Sequence, residues 1–304
     1  MGSRPETRAG VADVECADTT ALVTGSTSGI GRATALALGR LGADVLVHGR
    51  DAEAGASVVD ELSALGSDAR FIAADFAEVD AVRELAQTVR AETDTLDLLV
   101  NNAGGLFREG RLTDLGVEYT FHVNHLAPYL LTTDLIDHLS PGARVVTTAS
   151  AAHRGVSLDI DRATHVGRHV GLWAYSHSKL ANVLFAAELA HRLSAADRVV
   201  VSNSVHPGAI PGSGFSRFLP GPLPSLVQAF ETIPGVTDVA DGAAELLYVG
   251  LADQTADVTG RYFANQRPTQ PSMAARDTEN ARLLWRRSAD LLDIEEPLAD
   301  AISA

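Results

Sequence analysis

Tyr175 and Lys179 stand four residues apart in the run Tyr175-Ser-His-Ser-Lys-Leu-Ala-Asn-Val-Leu-Phe-Ala-Ala-Glu-Leu-Ala-His-Arg-Leu193. That run carries apolar residues at helical spacing and no Gly or Pro, so it predicts a helix. Four-residue spacing then puts both side chains on one face, a turn from each other. A free phenol titrates near about 10, and a neighbouring ammonium favours the phenolate and lowers that value. The pair therefore predicts a proton donor or acceptor that works nearer neutral pH. Tyr and Lys fall four apart by accident in many chains. Here Lys179 is the sole lysine, and Arg serves wherever else the chain needs a permanent cation. With five tyrosines in the sequence, chance places that lysine four after one of them roughly 2 times in 100. Arginine's planar fork does not replace a compact, rotatable ammonium.

A helix alone cannot position such a pair; the rest of the chain predicts the frame. Thr20-Ala-Leu-Val-Thr24 is a short β-type run, followed by Gly25-Ser-Thr-Ser-Gly29-Ile-Gly31 and a helical run from Arg32 to Leu41. Strand, glycine turn and helix in that order leave backbone N–H groups and a positive helix end free for a pyrophosphate. The spacing is Gly-x-x-x-Gly-x-Gly, and the plain alternative is a tight βα connection. Ala43 to His48 is a second strand. Where an acidic residue usually ends this strand to hold a ribose hydroxyl, Gly49-Arg50 stands instead. A guanidinium suits the 2′-phosphate of NADP, while the bland reading is a solvated surface Arg followed by Asp51.

Further strands are expected at 69–73, leading into Asp75 and Phe76, and at 96–100, leading into Asn101-Asn-Ala-Gly104. Helices fill 51–65 and 78–92. A long helix near 113–139 carries Asn124, which alone would be a tolerated mid-helix Asn. A fifth strand, 143–149, ends at Ser150, by itself an ordinary turn residue. A sixth, 198–205, is broken by His206-Pro207-Gly208, and a short last strand covers 260–263. Helices are expected at 238–251 and 278–292. The β-α-β-α alternation predicts one α/β domain, a Rossmann-type doubly wound parallel sheet of about seven strands with helices on both faces. The glycine turn, Arg50, Asp75 and Asn102 then all lie at the carboxyl edge, where such sheets bind ligands.

Residues 1–18 are polar and aperiodic and predict a disordered tail, leaving 19–304 as the NAD(P)-binding domain. Residues 209–236 are rich in Pro and Gly with several Phe, suitable for a substrate loop or lid. A net charge of −15 argues against nucleic-acid or anionic-membrane partners. One cysteine, Cys16, excludes an intrachain disulfide and fits a reducing compartment. No apolar run approaches membrane-spanning length and the start lacks a signal peptide's apolar core, so a cytoplasmic location is expected. The histidines show no metal-binding spacing: His165 and His169 lack a third ligand. No Gly-x-Ser-x-Gly nucleophile elbow is present.

Taken together, these motifs resemble the short-chain dehydrogenase/reductase family over residues 18–292. The match rests on Thr24-Gly-Ser-Thr-Ser-Gly-Ile-Gly31, Asp75, Asn101-Asn-Ala-Gly104, Asn124, Ser150, Tyr175-x-x-x-Lys179 and Pro207-Gly208. Val123-Asn-His-Leu, Ala151-Ala-His-Arg, Tyr175-Ser-His-Ser-Lys-Leu-Ala-Asn and the Trp285 helix are most similar to its retinol-dehydrogenase-like branch, in a soluble bacterial form. The resemblance implies that Tyr175 gives a proton to a carbonyl oxygen. It implies that Lys179 lowers the Tyr175 pKa and holds the nicotinamide ribose, that Ser150 bonds the developing oxyanion, and that Asn124 holds a water. It places the pyrophosphate at Gly25, Ser26, Ser28, Gly29, Ile30 and Gly31, the adenine at Asp75 and the adenosine ribose at Asn102. Phe76, Ala103, Gly104, Pro207 and Gly208 complete the implied cofactor contacts. The family often has Thr where Gly212 stands here, with Ser213 beside it. The resulting expectation is a carbonyl reductase preferring NADP(H), with NAD(H) possible. It would act on a small-molecule carbonyl or alcohol, lipophilic by the loop's composition, and homo-oligomers are common in the family. The rivals are an NAD-dependent alcohol dehydrogenase of the same fold and a non-catalytic NADP(H)-binding sensor.

Overall fold

The computed structural model describes residues 3–107, 110–166, 171–208 and 238–303. Seven parallel strands form one sheet: β1 (Thr20–Val23), β2 (Asp44–Gly49), β3 (Ala69–Ala73), β4 (Leu96–Asn101), β5 (Leu139–Thr148), β6 (Val201–His206) and β7 (Tyr262–Ala264). Their order is β3-β2-β1-β4-β5-β6-β7. The central strands are near-continuous apolar runs because both faces are covered. Leu22, Leu99 and Val145 enter one core, while Val23, Val100 and Val146 enter the other. Helices α2 (Gly29–Arg40), α3 (Ala52–Ala64) and α8 (Val239–Leu251) cover the second of these. Helices α4 (Val79–Glu92), α6 (Ala127–Leu135), α7 (Gly171–Ala195) and α9 (Thr278–Leu292) cover the first. The strand order reverses between β1 and β4, which opens the crevice that ligands use in such sheets.

Two expectations are corrected. The helix expected from 113 begins later. Gly116, at φ +69, turns the chain, and Glu118 caps a short helix, α5 (Tyr119–Phe121), by accepting from the Phe121 N–H. One π-helical turn follows, His122–Leu126, in which the Ala127 N–H reaches the His122 carbonyl. Pro128 lacks the N–H that an α-helix would aim at the Asn124 carbonyl, so the widened turn falls where the α ladder would be broken in any case. Asn124 therefore sits on a π turn, not in a regular helix.

The second correction concerns the expected N-terminal tail: residues 3–18 are packed, not disordered. Helix α1 (Pro5–Arg8) lies against α8 and α2. Ala9, Val11 and Cys16 are buried. Arg40 holds Glu6 through two bonds of 2.7 and 2.8 Å. Arg8 Nη1 reaches Asp238 at 2.6 Å and Asp241 at 2.7 Å, and these two carboxylates form the capping box of α8. The segment shows no helical or strand period because it supplies single plugs, not a face. The expected lid at 209–236, with Gly212 and Ser213, lies outside the described residues.

A packed segment and a loose tail differ in what truncation does. Deleting residues 1–17 is expected to lower the unfolding free energy by about 3 kcal/mol or more, from lost apolar burial and charge-assisted bonds. Urea titration of the two chains measures the difference; equal midpoints would return the segment to a tail.

Candidate active site

The crevice is built by the ends of β1 and β4. Gly25, at φ +66, brings the backbone so close to the β4 edge that a Cβ there would lie 2.9 Å from Ala103 Cα. A Cβ on Gly31 would lie 2.4 Å from the Gly25 carbonyl oxygen and 2.6 Å from Asn102 Nδ2. The turn therefore requires glycine at both positions, and α2 begins at Gly29 with its first N–H groups directed into the crevice. Ser28 stands at the N-cap without a side-chain bond to the helix and is exposed. Ile30 is half-buried beside it.

Several expected ligand contacts are used by the protein itself. The Ser26 hydroxyl is buried, donating to the Val23 carbonyl at 2.7 Å and accepting from the His48 N–H at 3.0 Å. It stitches β1 to β2 and faces away from the crevice. Asn102 donates its amide to the Thr24 carbonyl at 2.9 Å, so it braces the glycine turn. Thr24 Oγ1 in turn receives the N–H groups of Asn102 and Ala103, both at 2.9 Å. His48, which sequence reasoning missed, lies under the turn. Its Nδ1 accepts from the Gly25 N–H at 3.2 Å and its Nε2 pairs with the Ala74 carbonyl at 3.1 Å. The ring stacks on Phe76 at 4.5 Å, which makes Phe76 a packing partner. Burial pushes the His48 pKa down to about 4, so a neutral ring supports the turn. At the adenosine end, Arg50 pairs with Asp75 at 3.4 Å, and the Arg50 side chain is 62% exposed. Asp51 caps α3 through the Ala54 N–H, and Asp75 also accepts from the Ala77 N–H.

Across the crevice, β4, β5, β6 and α7 converge. Gly104, at φ +148, leaves room that a Cβ would fill: the added atom would lie 2.6 Å from Asn124 Oδ1 and 3.8 Å from Lys179 Nζ. Asn124 clamps the neighbouring chain, accepting from the Gly105 N–H and donating to the Gly105 carbonyl, both at 2.9 Å. Its second amide hydrogen goes to Ser178 Oγ at 2.9 Å, so both amide hydrogens are committed to protein, not to the implied water. Ser150 follows β5 and accepts from the Ala152 N–H at 3.2 Å; its hydroxyl also acts on the Tyr175 phenol, favouring the ionised form. Lys179 is 3% exposed and donates to the Thr148 carbonyl at 3.0 Å. Its Nζ lies 5.7 Å from the centre of the Tyr175 ring. Pro207 and Gly208, the latter at φ +95, turn the chain away at the end of β6. The structure thus gathers Asn124, Ser150, Tyr175, Lys179 and Gly104 at one sheet edge, with the glycine turn across the β1/β4 reversal.

The electrostatic expectation for Tyr175 is overturned. Burial raises its pKa, and the Ser150 bond offsets this only in part. Burial likewise brings Lys179 down from 10.5 to about 8. Burial is the largest cause acting on each, so desolvation governs both groups.

Sequence reasoning also missed His153 and His177. His153 is fully buried; Nδ1 donates to the Ser150 carbonyl at 2.6 Å and Nε2 accepts from the Ser272 N–H at 3.1 Å. His177 Nε2 accepts from the Asp159 N–H at 3.0 Å, between the rings of Trp173 and Phe121. Both stand two or three residues from a site residue, which was the available signal. Among the described residues, no group of three or more His, Cys, Asp or Glu side chains is placed to hold a metal. No described helix is long and apolar enough to cross a membrane.

A glycine cradle beside free helix N–H groups fits a dinucleotide's pyrophosphate, and the comparisons with known proteins agree. The family model for short chain dehydrogenase matches residues 19–217. The chain is 35% identical to human retinol dehydrogenase 13 over 295 residues, 91% of this chain and 86% of that one. It is 35% identical to the putative daunorubicin C-13 ketoreductase DnrU of Streptomyces sp. (strain C5) over 271 residues, 89% of this chain and 91% of that one. A short chain dehydrogenase from Burkholderia cenocepacia J2315, solved in complex with NADP, superposes with a TM-score of 0.65 at 29% identity. That match covers 85% of this chain and 98% of the other.

A buried lysine makes stability depend on pH. Its folded value, about 8, lies below the ordinary 10.5, so unfolding takes up a proton between the two and stability rises with pH through that window. The rise is expected to reach about 3 kcal/mol, and to vanish in Lys179→Met. Denaturant titrations at the two ends of the window compare the proteins; parallel stability curves would mean a solvated lysine.

Proposed function

The chain belongs to the short-chain dehydrogenase family, in its retinol-dehydrogenase-like branch, and from that premise we propose that it is an NADPH-dependent carbonyl reductase. The observation that carries this reading is that the Ser150 hydroxyl acts on the buried Tyr175 phenol, with Lys179 one turn along the same helix. Two hydroxyls so joined can both turn toward one oxygen of a small molecule. Burial holds the Tyr175 pKa above its ordinary value, so the phenol keeps its proton at neutral pH and is a donor. Reduction needs such a donor. Tyr175 gives its proton to the carbonyl oxygen, while the Ser150 hydroxyl bonds that oxygen as charge gathers on it. Lys179 holds the nicotinamide ribose and, once charged, favours the tyrosinate left behind. NADPH, when bound, supplies the hydride.

The preference for NADPH rests on Arg50. Its ion pair with Asp75 is exposed on both sides and contributes little, so a phosphate can compete for the guanidinium. Asp51 is committed to capping α3. That same Asp75 pairing also supports the second reading, in which Arg50 stays neutralised and NAD(H) serves an alcohol dehydrogenase. The names of two relatives, a retinol dehydrogenase and a C-13 ketoreductase, support a lipophilic carbonyl substrate. A non-catalytic sensor would have no use for Ser150 and Tyr175 in mutual contact.

NADPH is expected to bind about 10- to 100-fold tighter than NADH, the size of one charge-assisted contact, and Arg50→Ala should erase most of that gap. Fluorescence titration with both cofactors decides; equal affinities in the wild type would leave Arg50 without this role. Tyr175→Phe should cost at least about 100-fold in kcat against a panel of lipophilic ketones and aldehydes. Lys179→Arg should be comparably poor because the fork does not fit the ammonium's place. The two losses should not add in the double variant. Tight NADPH binding without turnover of any carbonyl in the panel would favour the sensor.

A further inference from the structure

Helix α7 carries a third polar group on the face that meets β5. Asn182 follows Lys179 by three residues and is 2% exposed. Its Nδ2 donates to the Thr148 carbonyl at 3.0 Å, and Lys179 Nζ donates to the same oxygen at 3.0 Å. Two donors on one carbonyl take up both of its lone pairs. Thr148 is the last residue of β5, and Ser150 lies two residues beyond it. The oxygen that receives the lysine is therefore pinned from a second side, at the strand end that presents the serine.

The line of polar contacts continues inward. His125 Nε2 pairs with Ser288 Oγ on α9 at 2.9 Å. His125 Nδ1 and Asn182 Oδ1 are both buried without a hydrogen-bond partner among the described residues, yet the Asn182 amide acts on the imidazole. Among the tautomers, the one with hydrogen on Nδ1 turns a donor toward Oδ1 and leaves Nε2 to accept from Ser288. That choice also fixes the amide, with Nδ2 toward Thr148. A buried amide aimed at the lysine's acceptor is more than a tolerated helix Asn, since a leucine would fill the same core without a polar atom to satisfy.

We propose that Asn182 is a positioning residue for Lys179: it holds the Thr148 carbonyl as the ammonium's acceptor, and His125 and Ser288 hold the Asn182 amide. The role rests on the reading of Lys179 as part of a carbonyl-reductase site. Among the described residues, the Tyr175 ring and the Gly104 backbone also stand near the ammonium, with the Asn124 amide on the far side of Gly104. Burial lowers its pKa, and among the described residues no carboxylate contributes. Each amide hydrogen on the shared oxygen weakens that oxygen's hold on the cation. Removing Asn182 leaves the oxygen to the ammonium alone and favours the charged form, so the Lys179 titration should move up.

Because Lys179 is the sole lysine, protein grown on 13C,15N-lysine gives a single Cε signal to follow against pH. In Asn182→Leu its midpoint should rise by about half a pH unit or more, the size of one hydrogen bond. If that variant does not fold, Asn182→Thr carries the same test, since its hydroxyl bonds back to its own helix. An unmoved midpoint, or a fall, in the folded variant overturns the proposal, and this holds whether or not a substrate has been found. With a carbonyl that the wild type turns over, kcat should drop at least about tenfold while KM for that carbonyl changes less than about threefold. A loss confined to KM, or an unchanged kcat, also overturns it. If the wild type turns over no carbonyl at all, the reductase reading fails while the titration still decides the positioning of the lysine.

Discussion

A single ammonium buried at the carboxyl ends of the strands sets the conditions for the rest of this structure. Lys179 is 3% exposed, and among the described residues no carboxylate acts on it. A charge taken from water without a counter-ion is costly unless fixed dipoles replace the water. Here the replacement is the Thr148 carbonyl at the end of β5. The strand must end at that residue, and α7 must pass over it in one register. One residue of slip along α7 would carry both Lys179 and Tyr175 off that face. Beyond the polar group, Leu180, Val183, Leu184, Phe185, Leu189 and Leu193 of α7 are buried and hold that register.

Four buried histidines are kept polar but uncharged. His48, His122, His125 and His177 are all brought by burial to values between about 3 and 4. Each accepts or donates through fixed geometry, and none competes with Lys179 as a positive charge at neutral pH. His48 braces the glycine turn, His153 the Ser150 carbonyl, and His177 the segment that leads into α7. An imidazole suits this work because it offers a donor and an acceptor on opposite edges of a flat ring that can also stack.

Much of this was legible in the sequence, for identifiable reasons. Strands buried on both faces read as unbroken apolar runs, and glycine turns announce themselves, so the seven strands and the cradle were visible. The Tyr175/Lys179 pair was visible because the lysine has no competitor. Side chains that turn inward were not. Ser26 and Asn102 stand in a motif associated with ligand contact, but their polar atoms are used by Val23, His48 and Thr24. Sequence spacing cannot say which way a polar side chain faces. The packing of residues 3–18 was hidden because Ala9, Val11 and Cys16 plug separate sites and share no period. The direction of the Tyr175 shift was hidden because it depends on a competition between burial and charge that only distances resolve.

Geometry also explains why this position is lysine in a chain that otherwise uses arginine. A guanidinium carries five donors in a plane and cannot shed its charge. In a pocket this buried, most of those donors would go unmatched, since the carbonyl of Thr148 already receives Asn182. A lysine offers three donors on a compact head and tolerates a lowered pKa. The space on its other side exists because Gly104 has no side chain: a Cβ would approach Nζ to 3.8 Å and collide with Asn124. Gly104 and Lys179, though distant in sequence, therefore constrain each other. The glycine gives the ammonium an open side toward the crevice, and the lysine gives the glycine a reason to remain without a side chain.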